Sequence, residues 1–518
     1  MSQYTINDRI STKDGYLATI KFVGHIAPWG DQILAYGLEW DDATRGKNNG
    51  SVNGISYFKP TISNLASFVK STNKSITWSR QSFVDVVQSQ YLNTEYHDQE
   101  IKFGLKILKE TGLEELNRRY KNLESIKSLS LDHCLIWKAW SNKKDELIEG
   151  GVTDKVFTGL KSLQRLDLSS NLFSDFEQVT RIIARLPALE EMILNGNRFT
   201  LLLLQLNCPK IMLSDTLVRL KLASTLLPVD KVNQLTTKFQ ELKELILSAN
   251  DYDNECIAKL TFVQNPQLQH LDLSYNKLQR IPRLDILKEV NLSHNEICIL
   301  QEQTLDMSNR VEALDLRHNC ISSWKEIDTL ASVAKNLKRL RINHNPLFDD
   351  ITIDDMTVQL IARFQCGPSN LNELNGSKLS LSEIENAELY FISKVQSGEY
   401  QMPNEDRWTQ LLRKYNKHAI REEQPTFKPW LKLSLLVFDS GNHTEPKHYR
   451  FLKSATILSF KGSISKLLLN NMSILKFKVF YYTNEDSEFA VEHEIDNYMA
   501  TLNDFAFSEG QKVYISVR

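Results

Sequence analysis

Lys47, Asn48 and Asn49 stand in a row between Gly46 and Gly50, with Tyr36, Trp40, Tyr57 and Phe58 close on either side. The chemistry such a set can do is recognition. A lysine pairs with a carboxylate, amide side chains bond an extended backbone, and flat rings offer an apolar floor. Together these types suit a peptide that ends in an aromatic residue carrying its free carboxylate. Gly37, Gly46, Gly50 and Gly54 indicate loops that need positive φ or close backbone approach, as in a small β-barrel.

The run Gly46-Lys47-Asn48-Asn49-Gly50, followed by Gly54-Ile55-Ser56-Tyr57-Phe58, resembles the signature of the CAP-Gly domain. The resemblance implies an SH3-like β-barrel over residues 1–76 and a groove for acidic C-terminal tails, above all the tail of α-tubulin. It assigns Lys47 to the tail carboxylate and Asn48 and Asn49 to the tail backbone. Tyr36, Trp40 and Phe58 would take its aromatic end, and Gly46 and Gly50 would shape the loop. Two positions depart from the family pattern. Asn49 stands where Asp is usual, keeping the turn-forming shape without the charge, and Ala35 replaces a common groove tryptophan. Trp29, nearby in sequence, is the candidate substitute.

The chain of 518 residues has room for roughly three or four domains. Its 62 basic and 64 acidic residues leave a net charge of −2, so no global field favours nucleic acid or a membrane. The six cysteines include no CxxC pair, which argues against zinc and against a disulfide framework. The polar start and the lack of a long apolar run predict a cytoplasmic protein without signal peptide or membrane span. A P-loop, Gly-x-Ser-x-Gly and HExxH are all missing, so an enzyme is not expected, nor is a cofactor.

Between about residues 126 and 345 the pattern Leu-x-x-Leu-x-Leu-x-x-Asn recurs nine times, ending on Cys134, Asn171, Asn197, Thr225, Asn250, Asn276, Asn295, Asn319 and Asn345. The spacing is that of leucine-rich repeats. Such a solenoid carries short strands on a concave face, stacked leucines inside, and asparagines that satisfy turn backbone. The 37-residue first step predicts an insertion near 137–156. The concave positions read Arg165/Asp167, Glu191, Arg219/Lys221, Glu244, His270/Asp272, Glu289, Asp315 and Arg339/Arg341. Their charges alternate in blocks, which suits a protein partner with mixed charge better than an RNA backbone. His294, His318 and His344 share one repeat position. With no carboxylate or thiol to complete a tetrahedral set, no metal is expected there.

Residues 77–123 read as a helical connector with an apolar stripe of Phe83, Val86, Val87 and Leu92. The repeats with their cap span 124–400, the cap helix starting after Ser380 or Ser382, and 401–430 reads as a linker with prolines at 425 and 429. From residue 431 to 518, strands at Leu431–Phe438, Tyr449–Leu452, Phe477–Tyr482 and Val513–Val517 and a helix at Ser463–Leu469 resemble a ubiquitin-like β-grasp domain. No Gly-Gly tail ends it, which leaves docking as its role.

The fold class is therefore multidomain α/β: CAP-Gly barrel, leucine-rich-repeat solenoid, ubiquitin-like domain. That order resembles the tubulin-folding cofactor E family. The family implies a cytoskeleton-associated chaperone of α-tubulin and the α/β-tubulin heterodimer that works with other tubulin-folding cofactors. The alternatives are a microtubule plus-end adaptor and a ubiquitin-pathway adaptor. The first usually carries a long coiled coil, and no sustained heptad run is present.

Overall fold

The computed structural model describes residues 4–92, 100–103, 106–109, 123–141, 151–200, 214–283, 286–298, 310–417, 430–439, 442–483, 490–505, 507–508 and 510–517. The chain forms two compact units, 1–419 and 420–518.

The first unit opens with a barrel. Its strands are β1 (Arg9–Thr12), β2 (Leu17–Gly24), β3 (Ala35–Trp40), β4 (Ser51–Val52), β5 (Ile55–Ser56), β6 (Ala66–Lys70) and β7 (Ile76–Thr77). The main sheet runs β6-β3-β2-β1-β7, all antiparallel. Ile10, Ala18, Ile20, Tyr36, Leu38 and Trp40 form its core. The β4–β5 hairpin turns on Asn53 and Gly54, both at positive φ (51° and 80°), the requirement of a two-residue type I′ turn.

Among the described residues the repeats contribute nine short parallel strands to one sheet: β8 (Ser128–Ser130), β9 (Arg165–Asp167), β10 (Glu191–Ile193), β11 (Arg219–Lys221), β12 (Glu244–Ile246), β13 (His270–Asp272), β14 (Glu289–Asn291), β15 (Ala313–Asp315) and β16 (Arg339–Arg341), which Glu373–Leu374 extends in parallel and Ser377–Lys378 closes antiparallel. Each pairs with the next in unbroken register, so every central leucine, or Met192 or Val290, stacks on its neighbour. The asparagines knit successive units. Asn319 Nδ2 donates to the carbonyls of Leu292 and Leu316 at 3.0 Å each, and its Oδ1 accepts the Ile297 amide at 3.0 Å.

Both ends of the solenoid are closed. At the start, Phe83, Val84, Val86 and Val87 are buried in the same core as the repeat leucines. The connector holds one expected helix, Phe83–Val87, but Glu100–Phe103 and Lys106–Lys109 pair as antiparallel strands where helix was read. Residues 110–122 and 142–150, which include part of that connector and of the expected insertion, lie outside the described residues. At the far end, α1 (Ile353–Arg363), α2 (Leu381–Gln396) and α3 (Glu405–Lys414) build the cap. Ser380 is the N-cap of α2, in a reciprocal capping box with Glu383.

Helix α3 overturns part of the linker reading. Trp408, Leu411 and Leu412 pack on Phe391 and Ile392 of α2. Glu388, 1% exposed, binds Arg407 at 2.7 Å, with Lys414 and the Tyr415 hydroxyl on its other oxygen. A buried carboxylate is tolerable only when it is paired in this way. The folded cap therefore extends to residue 417, and the rest of the expected linker, 418–429, lies outside the described residues.

The second unit is a mixed sheet of β17 (Trp430–Asp439), β18 (Lys447–Leu452), β19 (Phe477–Thr483), β20 (Val491–Glu494) and β21 (Lys512–Val517), crossed by α4 (Ile457–Leu468). Strands β17 and β21 lie parallel at its centre, and the β17–β18, β19–β20 and β19–β21 pairs are antiparallel. Leu431, Leu433 and Leu435 alternate inward against Ile457, Phe460 and Ile464, as the sequence period predicts. Helix α4 starts earlier than expected because Thr456 caps it.

Candidate functional site

Strand β3 has two faces of opposite character. Tyr36, Leu38 and Trp40 point into the barrel, where Tyr36 and Trp40 are 3% and 6% exposed. Tyr36 packs edge-on against Tyr4 at 6.4 Å, and the Arg45 guanidinium lies 5.5 Å from the Trp40 ring. These two expected groove residues are core instead. Side chains alternate along a strand, so Ala35, Gly37 and Glu39 occupy the other face.

That second face carries the exposed aromatic surface. Register places Phe22 of β2 and Phe68 of β6 on either side of Gly37. The Phe58 ring lies over the glycine itself; a Cβ at Gly37 would collide with that ring and come within 2.9 Å of Phe22 Cβ. Centroid separations are 5.2 Å for Phe22–Tyr57, 5.5 Å for Tyr57–Phe68 and 5.5 Å for Phe58–Phe68. All four rings are half-buried. The Tyr57 hydroxyl accepts the Ala27 amide at 3.0 Å, which ties the quartet to the β2–β3 loop. Trp29 borders the same face, since Lys70 is the register partner of Ala35 and its ammonium sits 5.7 Å from the Trp29 ring.

The Gly46–Gly50 loop is clamped to this surface. Lys47 and Asn48 amides both donate to the Ala66 carbonyl, at 2.8 and 3.1 Å. A Cβ at Gly46 would run into the Asn64 carbonyl oxygen, and one at Gly50 (φ 80°) into that of Phe58. Asn48 Oδ1 accepts the Gly50 amide at 3.0 Å, and Asn49 Oδ1 accepts the Asn64 amide at 2.5 Å. Both amide oxygens therefore hold the loop. The arrangement is an aromatic trough beside an exposed lysine, Lys47, that makes no ion pair among the described residues. Phe22 and Phe68 escaped the sequence reading, although the period-two run Tyr36, Leu38, Trp40 already marked the inward face.

On the concave ladder, Glu191 receives Arg165 at 3.6 Å, Arg219 at 3.3 Å and Lys221 at 2.8 Å. Burial alone would raise its carboxyl, but the hydrogen bond and charge of Lys221, with the two arginines, hold it below the usual value. Glu289 binds His270 at 3.2 Å and also Arg339. Asp167, Asp272 and Asp315 each accept an amide two residues on, from Ser169, Ser274 and Arg317, so they close turns. Among the described residues Glu244 and Arg341 have no such partner. Tyr275, His294, His318 and His344 stack at 4.1, 4.1 and 4.4 Å with near-parallel planes. Imidazole lone pairs lie in the ring plane, so stacked rings direct them side by side rather than toward one centre.

Residues 6–74 match the CAP-Gly domain family, and residues 150–199 and 267–285 match leucine-rich-repeat families. The chain is 25% identical over 524 residues to tubulin-specific chaperone E of Xenopus laevis, covering 93% of this chain and 94% of that one. Over most of its length it is similar to the tubulin-specific chaperone E proteins. Protein PAC2 of Saccharomyces cerevisiae is 29% identical over 527 residues, with 99% and 97% of the two chains covered. Tubulin-folding cofactor E of Arabidopsis thaliana is 25% identical over 417 residues, with 74% and 71% covered. Similarity to chaperone E thus spans the barrel, the solenoid and the C-terminal unit together.

Proposed function

We propose that this chain is a tubulin-folding chaperone. In this reading its CAP-Gly groove holds the acidic C-terminal tail of α-tubulin, and its concave ladder holds the body of the same subunit. It assists assembly and dissociation of α/β-tubulin heterodimers with other tubulin-folding cofactors. It works in the cytoplasm, associated with the cytoskeleton, without covalent chemistry or a cofactor of its own. The observation that carries the reading is the half-buried quartet of Phe22, Tyr57, Phe58 and Phe68 beside Lys47, which makes no ion pair among the described residues, in a chain similar to chaperone E over 93% of its length.

Lys47 pairs with the terminal carboxylate, the Nδ2 groups of Asn48 and Asn49 bond the tail backbone, and the quartet takes the terminal aromatic ring. Gly46 and Gly50 keep the loop close enough for all three. Two modest contacts on one tubulin chain raise avidity by about 10²–10⁴-fold when both can form at once. We read the C-terminal unit as a ubiquitin-like docking domain, supported by its parallel central strand pair and crossing helix.

The test is a titration with the tubulin tail peptide, intact and lacking its terminal aromatic residue. The intact peptide binds and the trimmed one does not; equal signals refute the groove. Sedimentation separates the remaining roles: the chain stays with unpolymerised tubulin, whereas a plus-end adaptor would pellet with microtubules.

A further inference from the structure

The solenoid ends in a groove that the tail site does not use. It measures about 900 Å³ and lies between the last repeat, α1 and α2. Its floor is apolar, formed by Phe348, Met356, Ile361, Leu374 and Ala387. Two apolar side chains stand open to water on its walls, Ile353 at 78% exposure and Tyr390 at 38%. A soluble surface that leaves large apolar groups open beside a concave apolar floor marks an interaction site.

The charge on the rim selects the occupant. Asp349, Asp354 and Glu383 line the groove against a single cation, Lys378. No cation among the described residues pairs with any of the three carboxylates. The Ser380 hydroxyl and amide hold the Glu383 carboxyl below its usual value, so it stays ionised. Asp354 and Glu383 sit in the first turns of α1 and α2, where a helix end favours a carboxylate. Asp349 follows the short helical turn Pro346–Phe348 and has no such reason to be acidic. A helix lying in such a groove presents apolar anchors at i, i+3, i+4 and i+7 to the floor and its flanks to the rim.

We propose that this groove docks an amphipathic helix of a partner protein, with apolar residues on one face and lysine or arginine on its flanks. The surface is separate from the CAP-Gly trough and from the concave ladder, so it serves a second protein while tubulin is held.

The experiment uses the full chain and two helical peptides with the same leucine stripe, one flanked by lysine and arginine and the other by glutamate. Fluorescence anisotropy is measured for the parent, for Ile353→Ser/Tyr390→Ser, and for Asp349→Lys/Asp354→Lys. All four positions are on the surface, and circular dichroism melts confirm that each variant is folded. The basic peptide binds the parent saturably. The apolar pair of substitutions weakens it by about tenfold or more, and charge reversal shifts preference toward the glutamate peptide. The proposal is overturned if both peptides bind the parent equally, if neither binds, or if the folded variants bind as the parent does. It is also overturned if sedimentation shows a dimer that Ile353→Ser/Tyr390→Ser dissolves, since a second copy would then be the occupant.

Discussion

Arg9 and Asp41 meet in a two-point ion pair, with guanidinium Nη1 and Nη2 at 3.0 and 2.6 Å from the two carboxylate oxygens. Arg9 is 1% exposed, and the same Nη2 reaches the Gly196 carbonyl of the solenoid at 3.3 Å. Arg198 lies 3.6 Å from Asp41 and donates to the Ser224 carbonyl. One carboxylate thus holds two arginines, one from the barrel and one from the repeats. Barrel and ladder are fixed to each other by charge as well as by contact, which fits the proposed engagement of a tail and a body at once.

Asp41→Ala leaves the buried Arg9 charge uncompensated, and removing one partner of a buried pair costs about 3–5 kcal/mol. The expected result is a lower melting temperature and faster proteolysis between barrel and repeats. Tail peptide still binds the remaining folded barrel, while affinity for whole α-tubulin falls further than tail affinity does. Parallel titrations with peptide and protein measure the difference.

Lys47→Ala removes an exposed ammonium that makes no ion pair among the described residues, so the melting temperature stays unchanged. A charge-assisted hydrogen bond contributes about 1.5–3 kcal/mol, so Kd for the tail peptide rises by about tenfold to a hundredfold. Lys47→Arg retains part of the affinity. An alanine variant that binds as tightly as the parent removes Lys47 from the site.

Gly37→Ala tests the trough from below. Its methyl must displace the Phe58 ring, and overpacking of this kind costs about 1–3 kcal/mol. Tail binding should fall, because the ring proposed to receive the terminal side chain is pushed aside. Calorimetric titration beside a thermal melt separates the lost affinity from the lost stability.

What the sequence revealed and what it hid follow from the range of the forces involved. The repeat asparagines were legible because their task is local and recurs: each satisfies carbonyls at fixed offsets in its own unit and the preceding one. The glycines were legible because backbone approach and positive φ exclude most other residues. Tyr36 and Trp40 lie close to the Gly46–Gly50 loop in sequence, but strand alternation turns both into the barrel. Phe22 and Phe68 were missed because register between strands distant in sequence brings them together across Gly37. Helix α3 read as linker because its charged face is prominent, while Trp408 and Leu411 find their partner only in α2.

The ring stack yields the last prediction. Along this edge of the solenoid the repeat position is small at Ser170, Gly196, Ser224 and Ala249, and becomes Tyr275, His294, His318 and His344 beyond them, all with φ between 51° and 70°. Arg9 of the barrel reaches the Gly196 carbonyl, so the barrel docks at one of the small positions, and Tyr275, the first of the rings, lines a cleft with Thr19, Glu39 and Trp40 of the barrel. Desolvation, the imidazoles of His294 and His344 and the charge of Arg317 push the His318 pKa below its ordinary 6.5, against a smaller opposing pull from Asp315. A depressed folded-state value means that the unfolded chain binds the proton more readily, so stability rises with pH across this interval. The contribution is fully present above 6.5 and is lost as pH falls through 6.5 toward the folded value. The melting temperature of the chain should therefore drop on acidification over this window, and His318→Asn should flatten that part of the profile. Proton NMR of the imidazoles should show His318 titrating below 6.5, and an ordinary titration there would mean that the stack does not persist in solution.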